Sequence, residues 1–290
     1  MNVVISQNNP VIEKPKNRSW ERFKRNKLAM ISLIILIALI ILSVLAPLIA
    51  PYDPAEQDLL SRLQAPSWEH WFGTDDLGRD LFSRVLYGGQ VSLAVSIISV
   101  VFTVIIGITV GSLAGYYGGK VDSILMRFVD VMLAFPTIFM LITVVTLLKP
   151  SLMNIIIVLI AFGWMGKARL LRGQILSVKN REFVDAARTI GMSDFRIIFR
   201  HILPNSLSPI LVSATLQMGS MILTESSLSF LGLGIQPPTA SWGNILQGAQ
   251  SLKIMMEAPW VPFMPGFMIF LTIMCFNFVG DGLRSAFDSR

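Results

Sequence analysis

Few side chains in these 290 residues have a type and spacing that could do chemistry. Arg127 and Asp130 stand three apart near one end of an apolar run, and Glu225 sits toward one end of another. Three apart on a helix is one face, so Arg127 and Asp130 are expected to form an ion pair. An ionisable group inside a membrane-length run otherwise marks a substrate or proton path. These three are too few to converge on a reacting atom, with Glu225 near the opposite membrane face, so no catalytic residue is assigned. His70 and His201 are the only histidines, and they fall on opposite sides of the membrane by the charge argument below, so they cannot share a metal. Cys275 is the single cysteine and lies in an apolar run, which leaves no disulfide framework and no thiolate metal site. There is no G-x-x-x-x-G-K-[ST] to cradle phosphates, no H-E-x-x-H and no nucleophile elbow. Catalysis by this chain, or a cofactor or metal held by it, is not expected.

The remaining chemistry is recognition, and it concentrates in residues 167–205. Phe183, Ala186, Ala187 and Ile190 recur at helical spacing, with Glu182, Asp185, Arg188 and Thr189 facing away. Gly191 supplies a stop. Phe195, Ile198, Phe199 and Ile202 repeat the spacing after Ser193, a good N-cap, and Asp194, an acid suited to the helix dipole. Pro204-Asn205 is expected to end this second helix. Ala186, Ala187 and Gly191 are small enough for another protein to approach the backbone. The alternative is a helix pair lying on lipid headgroups.

These residues must be positioned by membrane spans. The chain is 53% hydrophobic and only 14% charged, with several apolar runs of membrane length. Its net charge of +6 is sorted by membrane side and is no nucleic-acid footprint. Residues 1–27 are basic, with Lys14, Lys16, Arg18, Arg22, Lys24, Arg25 and Lys27 against Glu13 and Glu21. The run 28–50 exceeds a signal-peptide core and reads as a retained first span. Residues 51–90 carry seven acids and three bases and so lie outside, whereas 167–205 carry eight bases and three acids and so lie inside. Further spans are expected at 91–114, 124–148 with a kink at Pro136, 151–166, 207–231 and 261–280. Gly107, Gly111 and Gly115 give the second span a small-residue packing face. The organisation expected is an all-α polytopic membrane protein of six transmembrane helices with both termini cytoplasmic. Its parts are a basic segment (1–27), first span (28–50), outer loop (51–90), five-helix core (91–282) enclosing the inner loop 167–206, and tail (283–290).

Five motifs then carry a resemblance. D-A-A-x-x-x-G at 185–191, followed by Pro204, resembles the cytoplasmic "EAA" loop of bacterial ABC-importer permeases, with Asp185 for the usual glutamate and His201 for the usual isoleucine. G-T-D-D-L-G-R-D-L-F-S-R (73–84), L-A-F-P (133–136), S-L-S-F-L-G-L-G-I-Q-P-P-T-A-S-W-G (227–243) and N-F-V-G-D-G-L-R (277–284) are similar to the second, "C"-type permease of dipeptide, oligopeptide and nickel importers. The resemblance implies an ABC type I importer permease fold in the bacterial cytoplasmic membrane. It implies a coupling helix at Glu182, Phe183, Asp185, Ala186, Ala187, Ile190 and Gly191, braced by Ser193, Phe195, Phe199 and Pro204. The implied partners are a homologous second permease, two ATP-binding subunits carrying the ATP and Mg, an extracytoplasmic solute-binding protein and membrane lipid. Asp75, Asp76, Arg79 and Asp80 then either contact the binding protein or hold the outer loop together through their own ion pairs. Peptide is the expected cargo, with nickel or another metal chelate or metallophore as the alternative. An ATP-independent secondary transporter or a membrane-anchored scaffold is the remoter reading.

Overall fold

The computed structural model describes residues 18–287. Lys14 and Lys16 of the basic segment and Arg290 of the tail lie outside the described residues. Among those described the architecture is helical, with one isolated antiparallel bridge, Thr74 to Asp80. Five helices are long and apolar enough to cross a membrane, or six if one sharply bent pair is a single span.

α1 (Arg18–Arg25) buries Phe23 and keeps Trp20 half-exposed under the Lys24 ammonium. The Asn26 side chain caps α2 (Lys27–Val44), the first span. The expected run to residue 50 is interrupted, because Pro47 has no N–H to offer the Ser43 carbonyl and its ring would strike it. The chain restarts as α3 (Ala46–Ile49). α4 (Leu81–Tyr117) fuses the second span with its short lead-in into one helix of 37 residues, about 55 Å at 1.5 Å per residue. That exceeds the roughly 30 Å hydrocarbon core, so the helix projects beyond the bilayer.

The third span is broken rather than kinked. α5 (Gly119–Ala134) and α6 (Thr137–Leu147) meet at 85°. Pro136 removes a ladder donor and forces Phe135 into extended backbone, φ −89° and ψ 137°. α7 (Leu152–Gly163) and α8 (Met165–Val178) form a continuous fourth span of 27 residues, well past the expected limit at 166. The charges at its inner half do not end it because acids on α5 meet them. Arg169 reaches Asp130 at 2.5 Å, and Arg172 grips Asp122 with two bonds of 2.5 and 2.6 Å.

α9 (Glu182–Thr189) is short. α10 (Asp194–Ile197) runs through a π-helical turn, Ile198–Ile202, into α11 (Leu203–Phe230), an unbroken stretch of 37 residues. Pro204 therefore does not end the helix as expected. The π turn sends the Leu203 N–H to the Ile198 carbonyl, five residues back, so the ladder is already re-registered where the proline enters. Between α11 and the last long helix come α12 (Trp242–Gly248), opened by a Ser241–Asn244 capping box, and α13 (Leu252–Glu257). α14 (Trp260–Phe287) continues past the expected stop at Asp281, because its last turns pack on Phe23 and Ala29 at Gly282.

The core is assembled around α4 and α11. Val95, Ile155, Leu159 and Leu228 join α4, α7 and α11, and Leu36, Ile222, Phe276 and Val279 join α2, α11 and α14. Gly107, Gly111 and Gly115 admit α8 against α4. A Cβ at Gly111 would stand 2.7 Å from the Ala168 carbonyl oxygen, and one at Gly115 2.9 Å from Ile175 Cβ. The expected small-residue face is thus a real helix contact.

Candidate coupling site

The inner end of α8 hands the chain to α9 through Lys179, whose ammonium ties to the Gly115 carbonyl at 3.1 Å. α9 ends in two reciprocal bonds: Met192 N–H to the Ala187 carbonyl at 3.1 Å and Gly191 N–H to the Arg188 carbonyl at 2.9 Å. That closure requires a left-handed residue, and Gly191 has φ +74°. Nothing lies within 4 Å of where its Cβ would be, so any penalty there is purely one of backbone. Gly191→Val should cost about 2 kcal/mol locally, since the left-handed region is already 1–2 kcal/mol uphill for an unbranched residue. Gly191→Asn should cost less. Uptake by the two variants at equal membrane levels checks this, and equal uptake would show that the turn is not needed.

The predicted apolar face of α9 is split in the structure. Ala187 and Val184 point inward and are buried with Leu171, Ile175, Val178, Ile197 and Ile202. Phe183, Ala186 and Ile190 point outward, Ile190 being 74% exposed. Ala187 is therefore small because this chain's own core requires it, not to admit a partner. Val184, the most buried residue of α9, escapes a reading centred on the phenylalanine. Its spacing of three to Ala187 is the signal that could find it.

The second helix divides in the same way. Ile198 and Ile202 are buried, whereas Phe195 and Phe199 are exposed and pack against each other at a 36° tilt with centroids 4.4 Å apart. Ser193 occupies the N-cap position, but its side chain makes no capping bond. Asp194 instead accepts from Tyr116 at 2.6 Å, and the Arg188 guanidinium lies over the same ring. This ties α9 and α10 to the inner end of α4. Glu182 and Asp185 are exposed, the latter 3.2 Å from Arg188. The product is a short helix seated on Val184 and Ala187 that displays Phe183 and Ile190, with the Phe195–Phe199 pair exposed on the helix that follows. Pro204 is also exposed, one turn further along α11.

Arg127 and Asp130 do not pair. Arg127 is exposed with no ion-pair partner among the described residues, and Asp130 is taken by Arg169. Sharing a face of α5 places them both toward the outside of this chain, where α8 supplies a nearer cation.

In the outer segment, Asp75 accepts from Arg79 Nε at 2.7 Å and lies 3.5 Å from Arg84 Nε. It also accepts from the backbone N–H groups of Leu77 and Arg79. Asp80 caps α4 through Ser83 and bonds His70 Nδ1 at 2.9 Å. Asp75, Arg79, Arg84, His70 and Asp80 are all buried, and only Asp76 reaches the surface, 3.9 Å from Arg79.

Glu225 is fully buried in α11, accepting from Ser92 at 3.0 Å and Ser229 at 2.8 Å. Ser92 also receives the Trp242 N–H, and the Trp242 indole donates to the Val85 carbonyl, so this hydroxyl cradle fastens α12 to α4. No group of three or more His, Cys, Asp or Glu suited to a metal occurs among the described residues.

A family profile described as "Binding-protein-dependent transport system inner membrane component" matches residues 107–290. A second, "N-terminal TM domain of oligopeptide transport permease C", matches residues 15–66. The sequence is 45% identical over 276 residues to the dipeptide transport system permease protein DppC of Alkalihalophilus pseudofirmus, covering 95% of this chain and 90% of that one. It is 42% identical over 269 residues to the oligopeptide transport system permease protein OppC of Bacillus subtilis, covering 93% and 88%. It is also 42% identical over 280 residues to the glutathione transport system permease protein GsiD of Pectobacterium atrosepticum, covering 96% and 92%. Among solved structures, the inward-facing MetNI methionine ABC transporter superposes with a TM-score of 0.56 at 19% identity, covering 72% of this chain and 98% of that one. That likeness fixes the fold as the ABC type I importer permease fold.

Proposed function

The chain belongs to the family of binding-protein-dependent transport system inner membrane components and is a membrane-embedded permease subunit of an ABC importer; we propose that its cargo is peptide and that α9 is its ATPase-coupling helix. The cargo reading is supported by relatives described as dipeptide and oligopeptide permeases. The partners proposed are a homologous second permease, two ATP-binding subunits that carry the ATP and Mg, and an extracytoplasmic solute-binding protein. The membrane proposed is the bacterial cytoplasmic one, with both termini on the inner side.

One observation carries the coupling reading: α9 is braced from behind by Val184 and Ala187, yet displays Phe183 and Ile190. An apolar ridge on a rigid short helix is a knob for another protein's groove. Closure of two ATPases on ATP would push that knob, and the push would travel through the Asp194–Tyr116 bond and the π turn into α4 and α11. A partner can shift the equilibrium between inward- and outward-facing states only through differential affinity for the two, and a rigid knob provides that.

The double variant Phe183→Ala/Ile190→Asp alters the exposed side of α9 and leaves the buried Val184 and Ala187 in place. It should insert normally, lose co-purification of the ATP-binding subunits, and lower labelled dipeptide uptake by at least about ten-fold, the effect of removing about 1.4 kcal/mol of docking energy. Wild-type uptake by this variant would refute the coupling assignment. In a deletion strain, loss of labelled nickel or metal-chelate uptake with peptide uptake intact would replace the cargo reading with the metal one.

A further inference from the structure

Lys167 is buried inside the fourth span, only 4% exposed, and among the described residues it has no ion-pair partner. The acids on the neighbouring membrane helices are engaged elsewhere. Asp130 holds Arg169, Asp122 holds Arg172, Asp194 holds Tyr116, and Glu225 sits in its serine cradle. The Lys167 ammonium donates to one side-chain atom, the Gln217 Oε1. The same oxygen accepts from Thr103 at 3.2 Å, and Gln217 Nε2 donates to the Gly163 carbonyl at 2.8 Å. The amide is thus locked in one orientation, with its dipole set by the lysine behind it.

Gln217 also lines a cavity of about 190 Å³ beside the break between α5 and α6. Thr137 from the start of α6, Gly163, Ser220 and Thr224 share the wall with Leu141, Leu159, Phe162 and Met221, so the lining is uncharged and mostly apolar, with three hydroxyls and the one Gln217 amide set into it. Ser213, Gln217, Ser220, Thr224 and Ser227 recur at intervals of four, three, four and three, which places them on one face of α11. The cavity is therefore one exposure of a polar stripe on a membrane-spanning helix, and an uncompensated cation stands one side chain behind it.

An isolated buried ammonium is costly in a low-dielectric setting unless something compensates it. We propose that Lys167, acting through Gln217, is a specificity-determining cation that attracts the free carboxylate of the cargo into this cavity during passage. The inference rests on the peptide reading above and adds the chemical group recognised. The hydroxyls of Thr137, Ser220 and Thr224 then meet the peptide bonds, the uncharged wall makes no demand on side-chain charge, and the lysine selects for the one anionic group every unmodified peptide carries. Lys167 is a positioning residue here, because Gln217 stands between it and the cargo.

The test uses the complete importer, with both permeases, the ATP-binding subunits and excess binding protein, in proteoliposomes. Labelled alanyl-alanine and its C-terminal amide are the probes. The binding protein is the same throughout, so its own preference cancels when the free-acid to amide flux ratio is compared between variants. Differences in assembled transporter cancel as well. Lys167→Gln should lower that ratio about ten-fold, with amide flux held within about two-fold of wild type. Gln217→Glu keeps the lysine and gives it a carboxylate where Oε1 now stands, and it should lower the ratio similarly. Equal loss of both fluxes, or an unchanged ratio in either variant, overturns the proposal and leaves the peptide reading standing. Failure of the wild-type importer to move either probe overturns the peptide reading and this inference with it.

Discussion

Replacing Gly111 with leucine is expected to leave almost no folded permease in the membrane. A Cβ at this position would lie 2.7 Å from the Ala168 carbonyl oxygen, 3.0 Å from Leu171 Cβ and 3.3 Å from Ala168 Cα. Two of those three atoms are backbone, so no rotamer change on α8 can make room. α8 cannot slide either, because Arg169 and Arg172 fasten it to α5, and Leu171 and Ile175 are buried under α9 and α10. Overpacking in a well-filled core costs about 1–3 kcal/mol and more where the obstacle cannot move. A whole leucine against a backbone belongs at or above the upper end. Gly173 and Gly166 lie on the same α8 with nothing within 4 Å of where a methyl group would stand, so alanine at either should be tolerated. The comparison is made on membrane-inserted protein and its thermal midpoint in detergent. A Gly111→Leu chain as abundant and as heat-stable as Gly166→Ala would show that α4 and α8 do not meet as described.

The same contact shows what is legible in the sequence. Gly107, Gly111 and Gly115 announce a close helix approach by their spacing alone, and the membrane class follows from apolar run length. The extents of the spans are less legible, because a cluster of charge looks like the end of a helix. Lys167, Arg169 and Arg172 sit on α8 because Gln217, Asp130 and Asp122 receive them, and those partners are 39 to 50 residues away in sequence. A proline looks like a stop for a similarly local reason. Pro136 does break its span, whereas Pro204 is absorbed by a π turn that no local pattern announces. At α9, the proposed coupling helix, the residues are readable, but their direction is not. Ala187 and Ala186 are neighbours of identical type, and only the packing of Val184 beneath α9 decides that the first faces inward and the second outward. The cation behind the polar stripe falls, by charge pattern alone, within a cytoplasmic loop, so its chemistry stays hidden until α8 is seen to continue.

Asp75→Asn should be more damaging than the loss of any single arginine around it. Asp75 is 3% exposed and stands between two guanidiniums that are also buried, Arg79 at 8% and Arg84 at 2%. Asparagine is nearly the same size and can keep the bonds to the Leu77 and Arg79 backbone N–H groups, so the turn itself is conserved. What disappears is the one negative charge shared by both arginines. Asp76 lies 3.9 Å from Arg79 and is partly solvated, and Asp80 is already committed to Ser83 and His70. Removing one partner of a buried ionic set costs about 3–5 kcal/mol, chiefly because the opposite charge is left stranded. Here two like charges are stranded together. Arg84 is the weaker half of the set, since its Nε and Nη1 have no hydrogen-bond partner among the described residues. Arg84→Met should therefore cost less than Asp75→Asn, and the double variant should be milder than Asp75→Asn alone. The readout is protease cleavage within residues 51–80 on intact, outward-facing membranes, together with uptake. Cleavage should rise sharply in Asp75→Asn, where the segment comes away from the head of α4, and should fall back in the double variant. If Arg84→Met instead worsens Asp75→Asn, the guanidinium contributes to the outer segment by packing rather than by charge, and the electrostatic account of the loop is wrong.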